Sequence, residues 1–106
     1  VQKSPTQRTL ALLREDGYLA AVVEHWNPHA RVRQDLFGII DVVAVGNRST
    51  IGVQATSYSN VSARVAKLRD SDTIGRLREA GWSIFVHGWK KDRKSGRWEV
   101  RQVDLS

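Results

Sequence analysis

The chain of 106 residues contains neither cysteine nor methionine. With no thiol there is no disulfide, no thiolate nucleophile and no cysteine-ligated zinc. No apolar run approaches the roughly 18 residues that a membrane-spanning helix requires, so no membrane partner is expected. The first residues, Val1-Gln2-Lys3-Ser4-Pro5, have neither an apolar signal core nor an initiator methionine. Residue 1 therefore reads as a processing boundary and the protein as cytoplasmic. Histidine is scarce. His25 and His29 are spaced to set two zinc ligands on one helical face, but Pro28 between them argues for a loop. Acidic residues are the minority charge, 11 against 17 lysines and arginines, which gives a formal charge of +6 and a pI near 10.3. So strong a surplus in so short a chain favours a polyanion, DNA or RNA, because each phosphate neutralised releases condensed counterions.

What is present is the composition of one globular domain spanning 1–106, with 41% hydrophobic and 26% charged residues. Ser4-Pro5 opens a first helix and Gly17 stops it. Tyr18 to Trp26 is rich in β-branched and aromatic residues and predicts a first strand, ended by Asn27-Pro28. Leu36 to Val45 predicts a second strand, apolar on both faces and so expected to be buried on both. After the turn at Gly46-Asn47-Arg48-Ser49, Thr50 to Ser57 predicts a third, which completes a meander. Ser59 or Asn60 would cap a helix to about Arg69, with Val61, Val65 and Leu68 facing a sheet. Ser71-Asp72-Thr73 offers a second cap for Ile74 to Ala80, and Gly81 ends that segment. Trp82 to Trp89 and Trp98 to Leu105 are the last strands, with Lys90 to Gly96 as a loop between them. The order is α-β-β-β-α-β-β, an α/β fold with helices on a mixed central sheet.

One strand carries an anomaly. Asp41 stands between Ile39-Ile40 and Val42-Val43, and an unpaired carboxylate in such a setting costs several kcal/mol. It therefore needs a metal, a cation or dense hydrogen bonding. On the next strand Gln54 and Thr56 are two residues apart and share one face, which strand alternation allows to lie beside Asp41. Three oxygen-bearing side chains in one place suit a magnesium-like cation, whose retained water can attack a phosphodiester.

Ile40-Asp41-Val42-Val43 followed by Val53-Gln54-Ala55-Thr56 resembles the PD-(D/E)XK nuclease superfamily, and in size its small Holliday-junction resolvases. The resemblance implies a restriction-endonuclease-like αβββαβ core and a divalent-metal-dependent DNA endonuclease, active on branched DNA. It further implies Mg²⁺ or Mn²⁺, a homodimer, and a prokaryotic or phage-encoded enzyme. By the same resemblance Asp41 and Gln54 with the carbonyl of Ala55 would hold the metal. Two positions depart from the pattern: Gln54 stands where an acid is usual and Thr56 where a lysine is usual. Threonine cannot polarise the water or stabilise charge on the phosphorane as lysine does. Asp35, ahead of Asp41, or Glu24 on the first strand would then add negative charge, and Lys67 on the following helix would replace the lysine. Gln7 is a neutral amide where relatives often carry a helix glutamate. The alternative implied by these departures is a nuclease fold that has lost catalysis and persists as a DNA-binding or assembly module.

Two further segments point to nucleic acid. Ser57 and Asn60, with Arg64 on the helix they introduce, form a polar run suited to a phosphate. Lys90, Lys91, Arg93 and Lys94, with Arg97, make a basic segment between Trp89 and Trp98. Those tryptophans would either stack on an unpaired base or close the edge of a core.

Overall fold

The computed structural model describes residues 3–106, so the boundary at residue 1 lies outside it. Helix α1 spans Pro5–Glu15, with the Ser4 hydroxyl accepting the Gln7 N–H and proline in the first turn. The strands are β1 (Leu19–Val22), β2 (His25–Asn27), β3 (Val32–Gln34), β4 (Val42–Gly46), β5 (Ser49–Ser57), β6 (Ser83–Lys91) and β7 (Trp98–Asp104). Between β5 and β6 run a 3-10 turn at Tyr58–Asn60 and the helices α2 (Val61–Arg69) and α3 (Ile74–Glu79).

Five strands form one mixed sheet in the order β1-β4-β5-β6-β7. β1, β4 and β5 make an antiparallel meander, β6 runs parallel to β5 through the α2–α3 crossover, and β7 returns antiparallel to β6. Each face of the sheet carries a core. Leu10 and Leu13 of α1 pack on Ala20, Val42, Ala44, Ile51 and Val53. On the other face, Val61 and Leu68 of α2 and Ile74 and Leu77 of α3 pack on Ile40, Ile84 and Val86. Each fully buried aliphatic side chain contributes about 1.5–3 kcal/mol. Among the described residues no helix is long and apolar enough to cross a membrane.

Several boundaries differ from expectation. Tyr18 to Trp26 is not one strand. After Val22 the chain leaves the sheet, and β2 and β3 pair only with each other, as a separate hairpin closed by the Asn27 side chain, which accepts the His29 and Ala30 N–H groups. Nor does the second strand begin at Leu36. Phe37 and Gly38 take φ of 54° and 77°, the reversal that folds Leu36 back to bridge Ile40. β4 is buried on both faces only at its start, and Val45 is largely exposed. Asn60 holds the N-cap position of α2 without a side-chain hydrogen bond, and the 3-10 turn replaces the expected cap. Thr73 likewise precedes α3 without capping it; its N–H goes to the Ser71 hydroxyl. Lys90 and Lys91 belong to β6 and not to a loop.

Gly88 of β6 lets the 3-10 turn approach the sheet. A Cβ there would overlap Val61 Cγ2 and stand 3.1 Å from the Tyr58 Cα. Gly88→Ala is expected to lower stability by about 2 kcal/mol, within the range for overpacking. In urea unfolding, Val61→Ala in the same chain should recover part of that loss, a non-additivity that contact between the two sites requires.

Candidate functional site

The register of the small hairpin positions two carboxylates. His25 pairs with Gln34 and Trp26 with Arg33, so Glu24 and Asp35 are the next opposed positions at its base, where the chain leaves and re-enters the main fold. The reversal at 36–40 then folds Asp35 back toward Asp41, held by Gly38 N–H to Asp35 O and Ile40 N–H to Leu36 O. Asp41 is fixed by its backbone between two strands: its N–H donates to Val53 O and its carbonyl accepts from Val23. Ligand oxygens of Glu24, Asp35 and Asp41 consequently lie within 4.8 Å of one another.

Gln54 links this cluster. Its amide Nε2 donates to Asp41 Oδ2 at 2.8 Å and to Asp35 Oδ2 at 3.1 Å, and its Oε1 accepts from Lys67 Nζ at 3.3 Å. The reversed amide would oppose two donors at Lys67, so the surrounding charges select this orientation. Gln54 is 1% exposed, and this pairing accounts for a polar side chain at such depth. The Ala55 N–H donates to Asp41 Oδ2 at 2.8 Å. Lys67 Nζ lies 3.6 Å from Asp35 Oδ2, and Arg33 lies 3.7 Å from Glu24 Oε1.

Asp35 and Asp41 are too close to ionise independently. Burial, the hydrogen bond shared with Asp35 and that neighbour's charge push the Asp41 carboxyl up to about 7, against the pull of Ala55 N–H and Gln54. Burial also opposes the charge on Asp35. Hydrogen bonds from Asp41 and Gln54 and the adjacent Lys67 ammonium nonetheless hold it below its ordinary value. Without a cation the pair thus shares one proton near neutrality, on Asp41.

Three carboxylates are a hard-oxygen donor set that fits Mg²⁺ or Mn²⁺. This set differs from the ligands expected from sequence. Glu24 and Asp35 both join Asp41. Gln54 turns its amide donors to the acids, and Ala55 offers Asp41 its N–H. Thr56 is buried on the face it shares with Gln54 and makes no hydrogen bond to the network. Gln7 is exposed on α1, which packs on the opposite face of the sheet.

The acids and the basic segment lie at one end of the sheet. Gln54 is in the last half of β5, and Ser57 at its end pairs with Trp89 of the parallel β6, immediately before Lys90 and Lys91. Carboxyl ends of parallel strands are where open α/β sheets take ligands. Lys90 lies 4.4 Å above the Tyr58 ring, and Arg93 and Lys94 sit in the exposed turn organised by Asp92. Arg64 is half-buried on α2, one turn before Lys67, and Ser57 and Ser59 hydroxyls meet at 3.4 Å. Trp89 is a core residue: its indole N–H donates to Thr9 Oγ1 at 2.9 Å, and Thr9 in turn meets His87 Nδ1 at 3.1 Å. Trp98 is covered by Arg8, whose guanidinium carbon lies 3.6 Å from the ring centroid.

Sequence reasoning overlooked Arg8 and the Thr9-His87-Trp89 chain. The alternation of His87 and Trp89 on one strand face offered a signal for the last of these. No family model, no curated protein and no solved structure matches the chain.

Proposed function

We propose that the protein is a divalent-metal-dependent DNA endonuclease with a restriction-endonuclease-like core of the PD-(D/E)XK type, working in the cytoplasm as a homodimer. The observation that carries this reading is the convergence of Glu24, Asp35 and Asp41 with the Lys67 ammonium against them. The order of elements and a basic strand end at the same end of the sheet as the acids support it. Dimerisation would give a domain this small two cleavage sites across a two-fold axis.

Glu24, Asp35 and Asp41 would hold the cation. When bound, it supplies Lewis-acid activation of a water and of the phosphoryl oxygen. Gln54 positions two of the acids through its amide donors. Lys67 is reached from α2 and takes the place that Thr56 cannot fill: its ammonium faces the site where negative charge develops on the phosphorane. Ser57, Asn60, Arg64, Lys90, Lys91, Arg93 and Lys94 would hold the flanking backbone, which is why binding should weaken steeply with salt.

A second reading has its own observation. The Gln54 amide and the shared proton satisfy the acids without any metal, as expected of a nuclease fold retained for DNA binding or assembly. Incubating labelled duplex, single-stranded, four-way-junction and flap DNA with Mg²⁺ or Mn²⁺ separates the two. Cleavage abolished by EDTA supports the nuclease; salt-dependent binding without cleavage of any substrate supports the inactive module. In the active case Lys67→Ala is expected to slow single-turnover cleavage about 10- to 100-fold with little change in DNA affinity, the pattern of a group that acts in the transition state.

A further inference from the structure

The β2–β3 hairpin positions two of the acids at its base, yet its outer residues have no part in the chemistry proposed above. Alternation puts Trp26 on the same face as Glu24, and Arg33 on the same face as Asp35. The Arg33–Glu24 ion pair shows that this face is shared. Trp26 and Arg33 oppose one another two residues further out, a displacement of about 7 Å along the ladder, a step of the order of one nucleotide in an extended strand. From β2 to β3, positions 25–34 hold Trp26, Arg31 and Arg33 and no acidic residue. A cavity of about 420 Å³, lined by Arg33, Gln34, Asp35, Gly38 and Lys67, opens at Asp35 with two cations in its lining.

Trp26 differs from the other tryptophans. Trp89 is buried, Trp98 lies under Arg8, and Trp82 meets Phe37 edge to face. Trp26 is 55% exposed, and among the described residues no aromatic ring or cation stacks on it. A large apolar ring held out on a hairpin beside two arginines has the chemistry of a base-stacking platform.

We propose that this hairpin selects the substrate. Trp26 stacks on a base next to the cleaved bond while Arg33 holds its phosphate, so the preferred DNA carries an unpaired nucleotide at the cleavage site. A paired base presents no free face to the indole; an unpaired one does. Cleavage beside that base rests on the nuclease reading, whereas binding of the base does not.

The test is fluorescence anisotropy in EDTA with two labelled 20-base-pair duplexes, one continuous and one with a single central bulged nucleotide, followed by Mn²⁺ cleavage of both. The native protein should bind the bulged duplex roughly tenfold more tightly, the scale of one stacking contact. Trp26→Ala should reduce that preference to less than twofold without weakening binding to the continuous duplex. Trp26→Phe should keep most of it. Equal affinity of the native protein for the two duplexes, or a Trp26→Ala effect of equal size on both, overturns the proposal. If the preference exists and depends on Trp26 but neither duplex is cut, the hairpin's role stands and the nuclease reading falls. If both duplexes are cut and bound alike, the nuclease reading stands and the hairpin takes no part in choosing the substrate.

Discussion

Asp41→Asn is expected to reduce Mn²⁺-dependent cleavage at least about 10³-fold, since a correctly held cation supplies several kcal/mol of transition-state stabilisation. The substitution is chosen for what it leaves intact. Asparagine has the same shape, and its amide oxygen can accept the Ala55 N–H that Asp41 now takes at 2.8 Å. It also removes a carboxyl whose ionisation burial opposes. The folded protein should therefore survive the change, and in metal-free buffer near pH 8 it should unfold at a higher temperature than the native chain. Higher stability with lost cleavage is a combination that simple unfolding cannot produce. Calorimetric titration with Mn²⁺ should show binding weakened at least tenfold, because one of three anionic ligands is gone. Cleavage at the native rate by the Asp41→Asn protein would remove Asp41 from the chemistry and leave the carboxylate cluster a structural feature.

Asp41 was legible in the sequence because a lone acid between Ile39-Ile40 and Val42-Val43 contradicts its surroundings, and such contradictions collect at functional or strained sites. Asp35 or Glu24, with Lys67, could be named for the site from the resemblance, but the convergence of both acids on Asp41 could not be read. It depends on two reversals that apolar content concealed. Leu36 to Ile40 has the composition of a strand, yet the backbone turns at Phe37 and Gly38; the glycine was the available sign. Tyr18 to Trp26 has the composition of one long strand, yet Val23 gives its N–H to Asp41 and the chain then departs as a hairpin whose strands are three residues each. Strands so short and exposed have no buried side to impose alternation.

The larger framework was easier to read because burial enforces its periodicity. α1, with its Ser4 cap and following proline, and α2, with Val61, Val65 and Leu68 toward the sheet, occur where the pattern places them. The expected side-chain caps of α2 and α3 do not form. Polar residues near a helix start can serve a turn equally well, as Ser71 does for Thr73. Gln54 is the instructive residue. Its position beside Asp41 followed from strand alternation, while the direction of its amide followed only from Asp35 and Lys67 arriving from distant parts of the chain.

Between about pH 4.5 and 6.5 the metal-free protein is expected to hold nearly constant stability, because two buried groups titrate in opposition. Asp41 is raised from 3.8 to about 7 in the fold. The native state then binds a proton that the unfolded chain has released, so this contribution is complete below 3.8 and is lost as pH rises through 7. His87 is lowered by burial from 6.5 to about 4, with Thr9 and Trp89 fixing its neutral ring. Here the unfolded chain binds the extra proton, so the contribution is complete above 6.5 and is lost as pH falls through 4. Across its window Asp41 amounts to about 4 kcal/mol and His87 to about 3 kcal/mol, and in the native protein the two slopes offset one another where the windows overlap. Single variants should expose them. In EDTA, Asp41→Asn should gain about 2 kcal/mol from pH 4.5 to 6.5, a rise in Tm on the order of 10 °C for a domain of this size. His87→Gln should lose a similar amount over the same range. Asp92 and Asp104, lowered by hydrogen bonds in their own turns and away from both substituted sites, act alike in all three proteins and cancel in the differences. An Asp41→Asn profile parallel to that of the native chain would mean that Asp41 is ionised in the fold at pH 6 without any metal, with the Ala55 N–H and the Gln54 amide sufficient to hold its charge.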